Sequence, residues 1–194
     1  MGGNSWANMV RRARLVSARR DGPRAPRAYR ASVRYEGYGP GGAAVLIDAV
    51  TEDRSRFEGA LRRLLAQHGG HLGAAGSVSY LFNPVGRLCY PPGTPLQPLT
   101  QLALEAGAED IVANADGSVE VLTDPPDFAS VLEQLTRRAL APAMAELTWR
   151  AASALELSGS QAVRMLRLLE ALEGLGEVID VYSDVEFPAE ELNA

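Results

Sequence analysis

The sequence predicts an α+β protein in which one α+β unit interrupts another. Three observations lead there. Short apolar or alternating runs recur between segments whose apolar residues repeat at helical spacing. Residues 83–150 count out as a complete β-α-β-β-α-β unit. Residues 30–82 supply only β, β, α and β, a count that stays incomplete until 151–194 joins it. The expected organisation is therefore 1–29 as an N-terminal arm, 30–82 plus 151–194 as one domain, and 83–150 as an inserted one.

The first domain opens with Tyr35-Glu-Gly-Tyr-Gly-Pro-Gly-Gly42. Its glycines permit a sharp turn, and Pro40 fixes one φ. In the apolar run 43–50, Ala43-Ala44-Val45-Leu46-Ile47 is continuously apolar and reads as a strand covered on both faces. Phe57, Leu61, Leu64 and Leu65 share a helical face, with Gly69 placed for the C-cap. Val78, Tyr80 and Phe82 alternate, so 76–82 reads as a half-buried strand with Tyr80 turned to the core. Asn83-Pro84 reads as a break.

In the middle segment, Gly86–Tyr90 reads as a short strand. Leu99, Leu102, Ala103 and Ala106 line a helix that Gly107 ends. Ile111–Asn114 and Ser118–Thr123 flank Ala115-Asp116-Gly117, an Asp-Gly hairpin signal. Asp124 with Pro125 reads as the start of a helix lined by Phe128, Val131, Leu132 and Leu135, followed by a strand at Ala145–Arg150. The returning chain gives a strand at Ala154–Leu157 and a Ser158-x-x-Gln161 capping box. A helix striped by Met165, Leu166, Leu169 and Leu172 follows, then a strand at Val178–Tyr182.

Composition narrows the class. The chain has 194 residues, 46% of them hydrophobic, and all 19 basic residues are arginine. No apolar run approaches the roughly 20 residues of a membrane span, so no membrane association is expected. The single cysteine, Cys89, rules out an internal disulfide framework and fits a reducing compartment. Charge is segregated: residues 1–35 hold nine arginines against Asp21, a charge of +8, while the other 159 residues hold ten arginines and 23 acids, −13. A basic arm on an acidic body suits a tail that finds polyanions; a solvated tail without a partner is the plain alternative. An arginine-rich start also resembles a transit peptide, although Gly3–Asn8 argues for a mature N-terminus.

Four stretches closely resemble the YebC/PmpR family, which includes the mitochondrial translational activator of cytochrome c oxidase. They are Tyr35–Gly42, His68-Gly-Gly70 with Leu72-Gly73, Gly76-Ser-Val-Ser-Tyr-Leu-Phe82 and Ala103-Leu-Glu-Ala-Gly-Ala-Glu-Asp110. Gly3-Asn-Ser-Trp-Ala-Asn8 looks like a worn copy of the family's opening motif. The resemblance implies two ferredoxin-like units, the second inserted into the first, and a cytoplasmic factor of gene expression. That factor is either a DNA-binding transcriptional regulator or a translation factor associated with ribosomes or RNA; an organelle matrix is the alternative compartment. The resemblance also implies a lysine- and arginine-rich helical domain ahead of Tyr35. With only residues 1–29 in that place, most of it is expected to be missing, leaving the short basic arm.

Sites with chemistry are sparse. His68-Gly-Gly-His71 lacks a third ligand and lies on no single helical face, so it reads as a helix end and loop. The glycines at 37, 39, 41 and 42 lack the Gly-Lys-Ser/Thr ending of a phosphate loop. Cys89 reads as a core hydrophobe, and Glu109-Asp110 as surface acids. No catalytic, metal or cofactor site is expected, and the chain is read as a non-enzyme. The nucleic-acid contacts are assigned to Trp6, Arg11, Arg12, Arg14, Arg19 and Arg20, gripping phosphates without base specificity through charge and stacking. The expected partner is DNA, ribosomal RNA or the ribosome, bound weakly by a monomer. The competing reading is a degenerate paralogue that works as a protein-interaction module.

Overall fold

A computed structural model describes residues 31–188. Its elements belong to two compact units, Pro84–Arg150 and the remainder before Asn83 and after Ala151. Among the described residues no helix is long and apolar enough to cross a membrane.

In the unit built from both ends, β1 (Ala31–Tyr38) and β2 (Ala44–Thr51) form an antiparallel hairpin around a 3-10 turn at Pro40–Gly42. Gly41 has φ 71° and Gly42 φ 82°, which is why glycine sits at both positions. Helix α1 (Arg54–Gln67) starts at Asp53, whose carboxylate accepts the Arg56 N–H at 2.9 Å. It ends in a Schellman motif: Gly69 N–H reaches Ala66 O and Gly70 N–H reaches Leu65 O, with Gly69 at φ 83°. The two-residue β3 (His71–Leu72) then pairs with β1.

The returning chain adds β8 (Leu155–Glu156), helix α4 (Gly159–Glu173), β9 (Val178–Ser183) and β10 (Val185–Glu186). Strand order in the sheet is β3-β1-β2-β9, while β8 and β10 make a separate parallel pair. Phe57, Leu61 and Leu65 of α1 and Met165, Leu168 and Leu172 of α4 pack with Tyr35, Val45 and Ile47. Ala44, Val45, Leu46 and Ile47 are all essentially inaccessible, so both faces of β2 are buried, as its continuous apolar run requires.

The other unit runs β4 (Phe82–Tyr90), α2 (Leu96–Ala106), β5 (Asp110–Ala113), β6 (Val119–Thr123), α3 (Phe128–Arg137) and β7 (Met144–Ala151). Its sheet order, β5-β6-β4-β7, is the antiparallel ferredoxin-like arrangement for β-α-β-β-α-β. Gly107 takes φ 101° as the C-cap of α2. The Asp116-Gly117 turn joins β5 and β6.

Three local expectations are corrected. Residues 76–81 are not a strand: Gly76 has φ 85°, Ser79–Leu81 is a 3-10 turn, and Tyr80 is 73% exposed. The two units divide between Asn83 and Pro84, the position of the expected break, and strand β4 runs through that point. Its ladder with β6 begins only at Gly86↔Thr123, so Pro84 removes no donor from that ladder. Helix α3 begins at Phe128 with Asp127 as N-cap; Asp124 instead closes a turn, accepting the Asp127 N–H at 3.1 Å. In α4 the core stripe is Ala162, Met165, Leu168 and Leu172, so Leu166 flanks it, and Ser158 occupies the N-cap without a side-chain cap bond.

Candidate functional site

The stretches 35–42, 68–73 and 76–82 converge on one end of the first unit. Strand alternation in β1 turns Tyr35 to the core, where it meets Phe57 edge-on at 5.6 Å, and turns Glu36 and Tyr38 to the other face. Glu36 is 7% exposed. Its carboxylate accepts the backbone N–H of Gly76 at 2.7 Å and those of Val78 and Ser79 at 2.8 Å. Burial pushes this carboxyl's pKa up; the three N–H donors pull it down by more, leaving it below the ordinary glutamate range.

The neighbouring residues complete the lock. Tyr38 donates its hydroxyl to Ser77 O at 2.9 Å and stacks on the His71 ring at 5.0 Å. Gly73 N–H donates to Glu36 O at 2.8 Å. A Cβ on Gly70 would fall 2.2 Å from Tyr38 O, and one on Gly37 would fall 2.8 Å from His71 O, so both must be glycine for the backbones to close. Loop 73–81 is thereby held with Val78 fully buried and Tyr80 presented outward.

This arrangement presents a surface; it assembles no reactive group. The Glu36 carboxylate is saturated by backbone donors, and His71 lies against Tyr38. Among the described residues no three His, Cys, Asp or Glu side chains are grouped to hold a metal ion. Cys89 is buried, and desolvation pushes its thiol up to about 12 against the pull of Arg87. Glu109 and Asp110 are exposed, with Asp110 accepting the Ile111 N–H at 2.8 Å. Trp6, Arg11, Arg12, Arg14, Arg19 and Arg20 lie outside the described residues.

Glu36 escaped the sequence reading, which took its stretch for a turn. The available signal was an acid flanked by tyrosines on a strand, with a glycine- and serine-rich segment downstream able to offer free N–H groups.

The comparisons with known proteins agree with these motifs. Residues 30–185 match the family model described as TACO1/YebC second and third domain. A probable transcriptional regulatory protein of Nitrosomonas europaea is 46% identical over 151 residues, covering 78% of this chain and 63% of the relative. A probable transcriptional regulatory protein of Paraburkholderia xenovorans is 44% identical over 158 residues, covering 81% of this chain and 65% of the relative. The chain thus spans under two thirds of the length of these curated relatives. The crystal structure of a conserved hypothetical protein from Aquifex aeolicus superposes with a TM-score of 0.76 at 32% identity, covering 95% of this chain and 74% of that one. By its motifs, its fold and the match across residues 30–185, the chain belongs to the TACO1/YebC family.

Proposed function

We propose that the protein is a non-enzymatic, cytoplasmic regulator of gene expression whose nucleic-acid contact is made by its N-terminal arm. The observation that carries this reading is the charge split, +8 in residues 1–35 against −13 in the rest. Only the arm can release counterions from a phosphate backbone. The names of the relatives, probable transcriptional regulatory proteins, support the same class of role. Both DNA and ribosomal RNA fit a sequence-tolerant grip by Arg11, Arg12, Arg14, Arg19 and Arg20 with Trp6 stacking.

Titration with duplex DNA, structured RNA and ribosomes across a salt series tests this. If about five arginines reach phosphates, log K falls against log salt with a slope of about −4 to −5. A chain lacking residues 1–28 then loses binding; equal binding by that chain would overturn the assignment. One observation favours a second reading, a protein-interaction module without nucleic-acid affinity. The described residues hold 11 arginines and 21 acids, a charge of −10 that repels any phosphate backbone. Flat titrations with all three nucleic-acid partners would select it.

A further inference from the structure

Taken together the described residues repel a phosphate backbone, but within the first unit their charge is unevenly placed. Residues 59–83 hold Arg62, Arg63, His68 and His71 without an acid, and residues 157–169 hold Arg164 and Arg167 without one. Most acids of the helical layer gather elsewhere: Glu52 and Asp53 precede α1, while Glu170, Glu173 and Glu177 lie at and beyond the end of α4. Arg56 near the start of α1 pairs with Glu177 at 2.6 Å, whereas a Cβ on Gly69, past the end of α1, would lie 4.0 Å from the Arg164 guanidinium. The helices therefore run antiparallel, and the unit has one basic pole and one acidic pole.

The basic pole is also where the glycine turns meet. Gly70 packs on Gly39 and Tyr38 O, and a Cβ on Gly39 would stand 2.7 Å from Met165 Sδ, so both turns rest on the first turns of α4. Arg164 donates its Nε–H to Ser160 O at 3.2 Å, which keeps the guanidinium beside Gly69. Gly69, His71, Arg164 and Arg167 are all exposed. Among the described residues Arg62 is held by Glu58, while Arg63, Arg164 and Arg167 meet no acid. Two acids that approach are already bonded by backbone, Glu36 by the loop at 76–79 and Asp184 by the Ala44 N–H at 2.9 Å. Glu156 and Glu186 face each other across β8 and β10, on the side where Leu157 meets Gly41, which leaves the Gly69 side open to an anion.

We propose that this pole, Arg164 and Arg167 beside the Gly69 turn, receives the phosphodiester backbone of the nucleic acid that the arm brings in. The inference deepens the function proposed above and rests on it for the class of partner. Net charge assigns counterion release to the arm; the pole is the one exception on the acidic body. The arm supplies the long-range attraction. The pole, whose turns are fixed by glycine contacts before any partner arrives, sets how the polyanion lies on the folded unit.

Binding of duplex DNA and of structured RNA across a salt series is compared in three full chains: unaltered, Arg164→Gln with Arg167→Gln, and Arg137→Gln with Arg138→Gln. The last pair makes the same change in net charge on exposed residues of the other unit. The pole pair is expected to weaken binding about tenfold or more and to make the slope of log K against log salt shallower by about 2, with much smaller changes from the control pair. Equal effects of the two pairs, or none from the pole pair, overturn this proposal alone. A flat titration of the unaltered chain overturns it together with the role of the arm. In the unaltered chain, the amide signals of Gly69, Gly70 and His71 are expected to move on adding the nucleic acid, while those of Glu52 and Glu177 stay in place. Movement confined to residues 1–30, or equal movement on adding poly-glutamate, overturns the proposal as well.

Discussion

Each unit buries one glutamate on the sheet face turned away from its main apolar cluster, and the two are accommodated differently. Glu36 is held by three backbone N–H groups from a loop some 40 residues downstream. Glu120 lies across from Cys89 on a face it shares with Arg87, a side-chain cation that also serves Glu146. A carboxylate satisfied by backbone organises chain path, because those donors cannot be mutated away and have no other acceptor. A carboxylate beside a shared arginine sets the local charge, and the arrangement is expected to survive its neutralisation, since Arg87 keeps Glu146. The first kind of burial makes a loop rigid, while the second gives a face its sign.

The contrast can be broken most forcefully at Glu36. Glu36→Ala strands the N–H groups of Gly76, Val78 and Ser79, and each buried donor without an acceptor costs about 1–3 kcal/mol. Urea unfolding should therefore register a loss of about 3 kcal/mol or more, together with faster hydrogen exchange at those three amides. Stability within about 0.5 kcal/mol of the unaltered chain would show that water replaces the carboxylate without penalty.

Glu36→Gln keeps one acceptor and removes the charge, with an expected cost of about 1.5–3 kcal/mol at neutral pH. The sign of its pH dependence follows from the lowered pKa. The ionised carboxylate stabilises the fold fully above the unfolded glutamate value of about 4.3, and that contribution disappears as pH falls through the lower folded value. The difference between the two proteins should thus close in acid and stay constant from pH 6 to 8. A gap that persists unchanged at pH 2 would place the effect in packing and leave charge out of it.

Smaller effects sharpen the other side. Glu120→Gln should cost about 1 kcal/mol or less, since Arg87 retains Glu146, and thermal melting would detect anything larger. Tyr80→Asp should change stability by less than about 0.5 kcal/mol, because the ring is 73% exposed at the tip of the held loop. A loss of several kcal/mol there would restore the strand that alternation suggested for residues 76–82.

Much of the fold was legible because its signals are local. The β-α-β-β-α-β order, the Asp116-Gly117 hairpin and the Gly69 and Gly107 caps each depend on a few neighbouring residues. Val78, Tyr80 and Phe82 misled for the complementary reason. Their alternation is that of a strand, but the donors a ladder would use at Gly76, Val78 and Ser79 are claimed by a carboxylate 40 to 43 positions earlier. Leu166 was misplaced because 165, 169 and 172 fix a helical face only to within one neighbour, and Leu168 fills the space instead. For the candidate site, the sequence marked the right glycines without disclosing what they approach. Gly37 and Gly70 look like turn residues until their contacts with His71 O and Tyr38 O are seen.

The pairing of β2 with β9 has a consequence for synthesis. Ala49 aligns with Val178, so a strand finished early in translation waits for a partner more than 120 residues away. At about 5–20 residues per second, the wait lasts on the order of 6 to 25 s, during which the apolar edge of β2 has no neighbour on that side. The Pro84–Arg150 unit emerges entirely within that interval, and its own ladders close over shorter separations. It is expected to fold first and to fix Asn83 and Ala151 as neighbouring ends, shortening the loop that β9 must close to reach β2. Nascent chains halted just before residue 178 should then show a protease-resistant 84–150 fragment beside a digestible 31–72 segment. Equal resistance of both would mean that the hairpin of β1 and β2 with α1 needs no closing strand.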